Sequence, residues 1–152
     1  DAPEKTGQKV ENGVRYQTVG NSAWFTNLDN SRRHEEIPLF RSYSSDPSKY
    51  PTYENYAAIE VSKVVDIPVD YDEAMGVPIT FLGRHNPDQF EILGTLESSD
   101  PQNTLRTKWY SSQEQKDAYE RRFGKPGNIP LNMSGVIDDV KVFKRILIRR
   151  KK

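Results

Sequence analysis

Cysteine is absent from the 152-residue sequence. That excludes a disulfide scaffold and any thiolate metal site. It also fits a reducing compartment, and the cytoplasm is the expected location. No apolar run approaches the ~18 residues that a membrane-spanning helix needs, so no membrane partner is expected. No charged segment followed by an apolar stretch opens the chain as a signal peptide would. Histidine occurs twice, at His34 and His85. A metal shared between them and carboxylates is one reading, and solvated loop positions are the plainer one. Hydrophobic residues are sparse at 34%, roughly 40% with glycine counted, against roughly 45–50% in ordinary globular chains. A domain of this length should bury roughly two-thirds of its chain surface. Such a composition builds a thin core and predicts that a missing partner surface completes it. The chain starts at Asp1 rather than Met, and a fragment of a longer protein is the expectation.

What is present argues against a disordered tail: 8 Tyr, 6 Phe and 2 Trp are too many aromatic residues for a purely solvated segment. Charge is balanced, with 22 basic and 22 acidic residues, but unevenly spread. Lys141 to Lys152 contain seven basic and no acidic side chains, leaving 15 basic against 22 acidic residues in the body. A basic end on an acidic body points to contact with a polyanion or to solubility alone.

Asp1 to Lys9 reads as a polar arm, and the chain through residue 19 as this arm and a hairpin strand. Asn12-Gly13 is a hairpin turn signal, because both residues tolerate positive φ. Val14, Tyr16 and Thr18 alternate as on a half-buried strand. Ala23 to Leu28 is a short apolar run that predicts a buried strand. Asp46-Pro47 opens a helical turn, since proline suits the first helical position. Ile59 to Val65 predicts a strand ended by Pro68. Val77 to Leu82 and Phe90 to Leu96 read as two strands of one hairpin across residues 77–96. Ser111 and Glu114 form a capping box for a helix near 112–123, with Gly124 as its C-cap and Pro126 blocking continuation. A last strand is expected from Val140 to Arg149, with Val142, Ile146 and Ile148 on one apolar face. The fold class is β-rich α+β, with one clear helix and irregular connections.

Catalytic constellations are missing. No Gly-x-Gly-x-x-Gly, Walker loop or Gly-x-Ser-x-Gly elbow occurs. Asp70-Tyr71-Asp72-Glu73 and Asp138-Asp139 lack the glycine and glutamate spacing of a calcium loop and read as solvated turns. Contact chemistry is better represented. Arg32, Arg33, His34, Arg84, His85 and Asn86 fall in loops, with Lys63 as a further cation. Arginine and asparagine are the side chains that read guanine and adenine edges bidentately. Ordinary solvated loops are the competing reading. Tyr43, Tyr50, Tyr53 and Tyr56 either stack on bases or pack an irregular segment onto the sheet.

Several ordered strings carry a resemblance. They are Gly20-Asn-Ser-Ala-Trp-Phe-Thr-Asn-Leu-Asp29, Arg33-His34-Glu35, Tyr53-Glu-Asn-Tyr-Ala-Ala-Ile-Glu-Val61, Met75-Gly-Val-Pro-Ile-Thr-Phe-Leu82, Asn86-Pro-Asp-Gln-Phe-Glu-Ile92 and Lys144-Arg-Ile-Leu-Ile-Arg-Arg150. Together they resemble the C-terminal half of adenine-specific DNA methyltransferases of the EcoRI modification-enzyme type, from about residue 20 to 152, with a variable insertion near 97–135. The resemblance implies the C-terminal strands of a Rossmann-like methyltransferase fold plus inserted recognition segments. It also implies S-adenosylmethionine as cofactor of the intact parent and methylation of a flipped adenine in DNA. Base flipping is required because the target amine is unreachable inside the duplex. The family's Asn-Pro-Pro-aromatic acceptor motif does not occur in this sequence. No catalytic residue is carried over, and no cofactor is expected on this chain alone. Its expected partners are DNA, through the parent, and the missing N-terminal half. The alternative is a stand-alone, non-catalytic nucleic-acid-binding or interaction module.

Overall fold

The computed structural model describes residues 8–17, 28–100 and 103–152. Most of the polar arm, Thr18 and the strand expected at Ala23–Leu28 lie outside them; Leu28 itself is exposed. Strands β1 (Gln8–Glu11) and β2 (Val14–Gln17) form an antiparallel hairpin, but the half-burial expected of Val14 and Tyr16 is not found: both are exposed, at 52% and 53%. Asn12 and Gly13 sit at φ 50° and 78°, the left-handed values that a two-residue turn demands.

The main sheet contains β3 (Ile59–Glu60), β4 (Met75–Val77), β8 (Ile146–Arg150) and β5 (Phe90–Thr95), in that spatial order. β3 and β4 are parallel, while β8 runs antiparallel to both β4 and β5. Three strands therefore point one way, with a single reversed strand inserted between the second and third. Thr52 bridges the outer edge of β3. β6 (Val136–Ile137) and β7 (Val140–Lys141) make a small hairpin. α1 (Ser112–Phe123) follows β5 in the chain.

The sheet is buried on both faces because its strands alternate between two cores. Ile59, Met75, Val77, Ile146 and Ile148 join Ile67, Phe81 and Phe90 on one side. Ala58, Leu147 and Leu96 join Tyr53 and Tyr56 on the other. Gly76 is needed on that second side, since a Cβ there would overlap the Tyr53 hydroxyl. A third cluster places Ala118 of α1 against Tyr110, Leu131 and Val136.

α1 ends as its sequence dictates. The Ser111 N–H donates to Glu114 Oε2 at 2.8 Å, and the Glu114 N–H donates to Ser111 Oγ at 3.2 Å. Gly124 closes the helix at φ 65°. The turn at Asp46-Pro47 forms a short 3₁₀ helix, Pro47–Lys49, with proline at its start.

Three expectations are corrected. Residues 77–96 are not a hairpin: β4 stops at Val77, a 3₁₀ helix takes Ile79–Gly83, and β8 separates β4 from β5. Pro78 has no N–H to continue the ladder, and its carbonyl instead accepts the Phe81 N–H at 2.9 Å. The strand expected from Ile59 to Val65 lasts two residues, after which Val64–Asp66 turn as a 3₁₀ helix. Finally, Val140–Arg149 is not one strand with one apolar face. β7 turns back onto β6, and in β8 Leu147 is as buried as Ile146 and Ile148, because the sheet is covered on both sides.

The expected class, β-rich α+β with one helix, stands. The tyrosine-rich stretch packs: Tyr50, Tyr53 and Tyr56 are buried, and Tyr43 lies against Tyr50 and Tyr71.

Candidate functional site

The three co-directional strands end at Glu60, Val77 and Thr95, and β8 begins at the same end, with Ile146 opposite both Val77 and Thr95. In open sheets with parallel strands, ligands collect beyond the carboxyl ends. At this end lies an open groove of about 720 Å³, lined by Glu60, Ser62, Met133, Ile137, Phe143 and Lys144 among others. That volume is in the usual range for small-molecule sites. Its rim is aromatic and basic: Phe143 is 82% exposed, Lys141 is exposed, and Lys144 reaches Glu97 at 2.6 Å.

The floor is a buried ion pair. Arg145 Nε donates to Glu60 Oε1 at 2.9 Å, and its Nη2 donates to the same oxygen. The Tyr53 hydroxyl donates to Glu60 Oε2. Burial, reinforced by the adjacent Glu60 carboxylate, pushes the Tyr53 hydroxyl far above its ordinary value, so it stays a donor. Both Glu60 oxygens are thereby occupied. This arrangement holds a shape; it offers no free base and no activated nucleophile.

The loop candidates divide into two kinds. The Ile37 N–H donates to Gln89 Oε1 at 2.7 Å, and Gln89 Nε2 donates to the Ile37 carbonyl at 2.8 Å. This clamp stitches together two segments far apart in sequence and brings Arg32 and Arg84 to one cleft of about 350 Å³, shared with Glu35, Glu36 and Ile37. Arg32 and Arg84 face solvent there, and Lys63 is exposed just beyond β3. The others are engaged within the fold. Arg33 Nη1 donates to the Leu28 carbonyl at 3.3 Å, and His34 meets Asp29 at 2.7 Å. The His85 ring packs on Phe81, with Nε2 at 2.9 Å from the Phe90 carbonyl. Asn86 is 4% exposed, and its Oδ1 accepts the Asp88 N–H at 2.9 Å. His85 and Asn86 thus build the turn that presents Arg84. Among the described residues no group of three or more His, Asp or Glu side chains is placed to hold a metal ion.

The basic chain end is largely answered by the acidic body. Arg149 pairs with Glu91, and both Arg150 and Lys152 pair with Asp72. Sequence reasoning missed Phe143, whose placement between Lys141 and Lys144 was a readable aromatic-among-basic signal hidden by the assumption of one long strand. It also missed Asn55 and Asn132. Asn55 joins Ser134 and Val136 at 2.9 Å each, and Asn132 holds both backbone groups of Tyr110 at 2.8 Å. No periodic pattern announces such buried amides.

No solved structure matches the chain. Among known proteins it is similar to the type II methyltransferase M.EcoRI of Escherichia coli, at 52% identity over 82 residues covering 54% of this chain and 25% of that protein. It is also similar to the type II methyltransferases M.MpnI of Mycoplasma pneumoniae, at 38% identity, and M.MgeORF184P of Mycoplasma genitalium, at 35%. Each of these two alignments covers 69% of this chain and 32% of the relative. The chain thus spans about a quarter to a third of the length of the curated relatives it matches. The family model for adenine-specific methyltransferase EcoRI matches residues 2–151, and the chain belongs to that family.

Proposed function

We propose that this chain is the C-terminal portion of an S-adenosylmethionine-dependent DNA adenine-N6 methyltransferase of a restriction-modification system, acting in the cytoplasm. In this reading residues 20–152 form the last part of the methyltransferase domain and contribute DNA recognition and the final strands of its sheet. The observation that carries the reading is the family match over nearly the whole chain. The sheet supports it: co-directional strands opening on one groove at their carboxyl ends suit a Rossmann-like fold. The exposed Phe143 and Met133 at that groove are the surface over which the rest of the parent packs.

The residues present do not fit the cofactor itself. None of the co-directional strands is followed by a glycine-rich turn: Val61-Ser62-Lys63, Pro78-Ile79 and Leu96-Glu97-Ser98 take those places. The one acid at the groove floor, Glu60, is fully engaged by Arg145 and Tyr53. S-adenosylmethionine binding is therefore assigned to the remainder of the parent. Calorimetry on the isolated chain should show no uptake of S-adenosylmethionine, and micromolar binding would overturn this assignment.

Within the parent, Arg32 and Arg84 approach DNA from their shared cleft, and Lys63 is a separate candidate contact beyond β3. Arg33, His34, His85 and Asn86 belong to the same contact loops. The decisive test is methylation of duplex DNA by the parent carrying Arg32→Ala and Arg84→Ala. Losing a base-reading arginine costs about 1–3 kcal/mol and relaxes specificity at one position. Unchanged affinity and discrimination in both variants would remove these loops from recognition. Salt-sensitive DNA binding by the isolated chain, in an organism whose parent gene lacks an Asn-Pro-Pro-aromatic motif, would instead favour the stand-alone binding module.

A further inference from the structure

Trp109 is 60% exposed, yet the backbone around it is held at two points. On one side Arg106 bridges Tyr56: the Ala57 N–H donates to the Leu105 carbonyl at 2.9 Å, and the Thr107 N–H donates to the Asn55 carbonyl at 3.0 Å. On the other, the buried Asn132 amide grips both backbone groups of Tyr110 at 2.8 Å. Thr107, Lys108 and Trp109 therefore form a short tip between fixed anchors.

The indole is fixed as well as the backbone. The Arg106 guanidinium lies 4.8 Å from the Tyr56 ring centroid and 4.9 Å from that of Trp109. Arg106 Nη2 also donates to the Tyr56 hydroxyl, which ties it to the core. One cation thus links a buried ring to an exposed one, an attraction that strengthens where water is excluded. Arg106 and Lys108 flank the indole in sequence; Lys108 pairs with Glu114 of α1 at 3.1 Å, which leaves Arg106 as the cation held against the ring.

We propose that Trp109 is a stacking platform for a base of the DNA substrate, with Arg106 as the residue that positions its ring. The proposal rests on the reading of the parent as a DNA methyltransferase. A preoriented indole beside a basic side chain is the combination that recognises the flat face of a nucleobase while tolerating its sequence. Enzymes that extrude a base must unstack its neighbours, and an aromatic side chain of this kind can take up the exposed face.

The test uses the full-length parent and plasmid DNA segments, assayed for methylation and prepared with 5-iododeoxyuridine in place of thymidine. Irradiation should yield a crosslinked peptide that maps to Trp109. Trp109→Ala should weaken DNA binding by about tenfold, the loss of one base–aromatic stack, while Trp109→Phe retains most of the affinity. Circular dichroism should be unchanged in both variants, since the side chain is exposed. Wild-type binding by Trp109→Ala, with crosslinks only elsewhere, would overturn the platform and leave the parent reading intact. A wild-type parent that neither binds nor methylates DNA would overturn both.

Discussion

Glu60 and Arg145 meet where neither is well hydrated, with side-chain exposures of 7% and 13%. Breaking such a pair from one side leaves a buried charge without its partner, at a cost of about 3–5 kcal/mol. Glu60→Ala should therefore lower stability by that order in urea unfolding, and it also strands the Tyr53 hydroxyl. Replacing both partners with apolar residues, as in Glu60→Leu with Arg145→Met, should cost far less than the single change. Equal losses in the two variants would show that the pair is not the source of the effect. Asp66 makes a different prediction. The hydrogen bond from Lys49, at 2.8 Å, outweighs opposing desolvation and, with Arg41 nearby, holds its carboxyl below the ordinary value. A depressed native pKa contributes stability that is complete above the unfolded pKa of about 3.9 and is lost as pH falls through the lower native value. The stability gap between wild type and Asp66→Asn should thus be constant near neutrality and close below about pH 4. Urea midpoints measured from pH 3 to 7 would reveal a gap that fails to close.

At the scale of elements, α1 depends on its ends, because Ala118 is its only buried residue. Ser111→Ala removes the oxygen that accepts the Glu114 N–H and should cost about 1 kcal/mol, seen as faster amide exchange in the first turn. The sheet is sensitive elsewhere. Gly76→Ala would drive a methyl group into Tyr53, and overpacking of this kind costs about 1–3 kcal/mol. Thermal unfolding should register it, whereas Gly83→Ala, with open space at its Cβ, serves as the silent control. The same contrast explains what could be read in advance. The capping box, the Asn12-Gly13 turn and the Asp46-Pro47 turn are local hydrogen-bond chemistry within four residues. β8 entering between β4 and β5 is a pairing over more than fifty residues, and nothing in Val77–Leu82 records it.

For the whole molecule, charge placement matters more than charge count. The body's carboxylates Glu91 and Asp72 hold Arg149, Arg150 and Lys152, so this basic run is partly spent before any phosphate arrives. In the parent, Arg149→Ala and Lys152→Ala should leave the salt dependence of DNA affinity nearly unchanged. Arg32→Ala or Arg84→Ala should lower affinity for the cognate site by about 1–3 kcal/mol at each salt concentration, as loss of a base-reading arginine does. A binding series from low to moderate salt separates the two groups.

The family was legible because long strings recur in order, and so were the helix, the first hairpin and the β-rich class, because these follow from neighbouring residues. The candidate loops were legible as a set but not as a site. Only the folded chain, through the Gln89 clamp on Ile37, brings Arg32 to Arg84 while engaging Asn86 and His85 in the turn beside them. Only the two-sided burial of the main sheet decided that Leu147 is core, that Gly76 must lack a side chain and that Phe143 is left facing solvent at the groove. These outcomes depend on contacts between segments distant in sequence, whose distances are set by packing and leave no periodic trace in the order of residues.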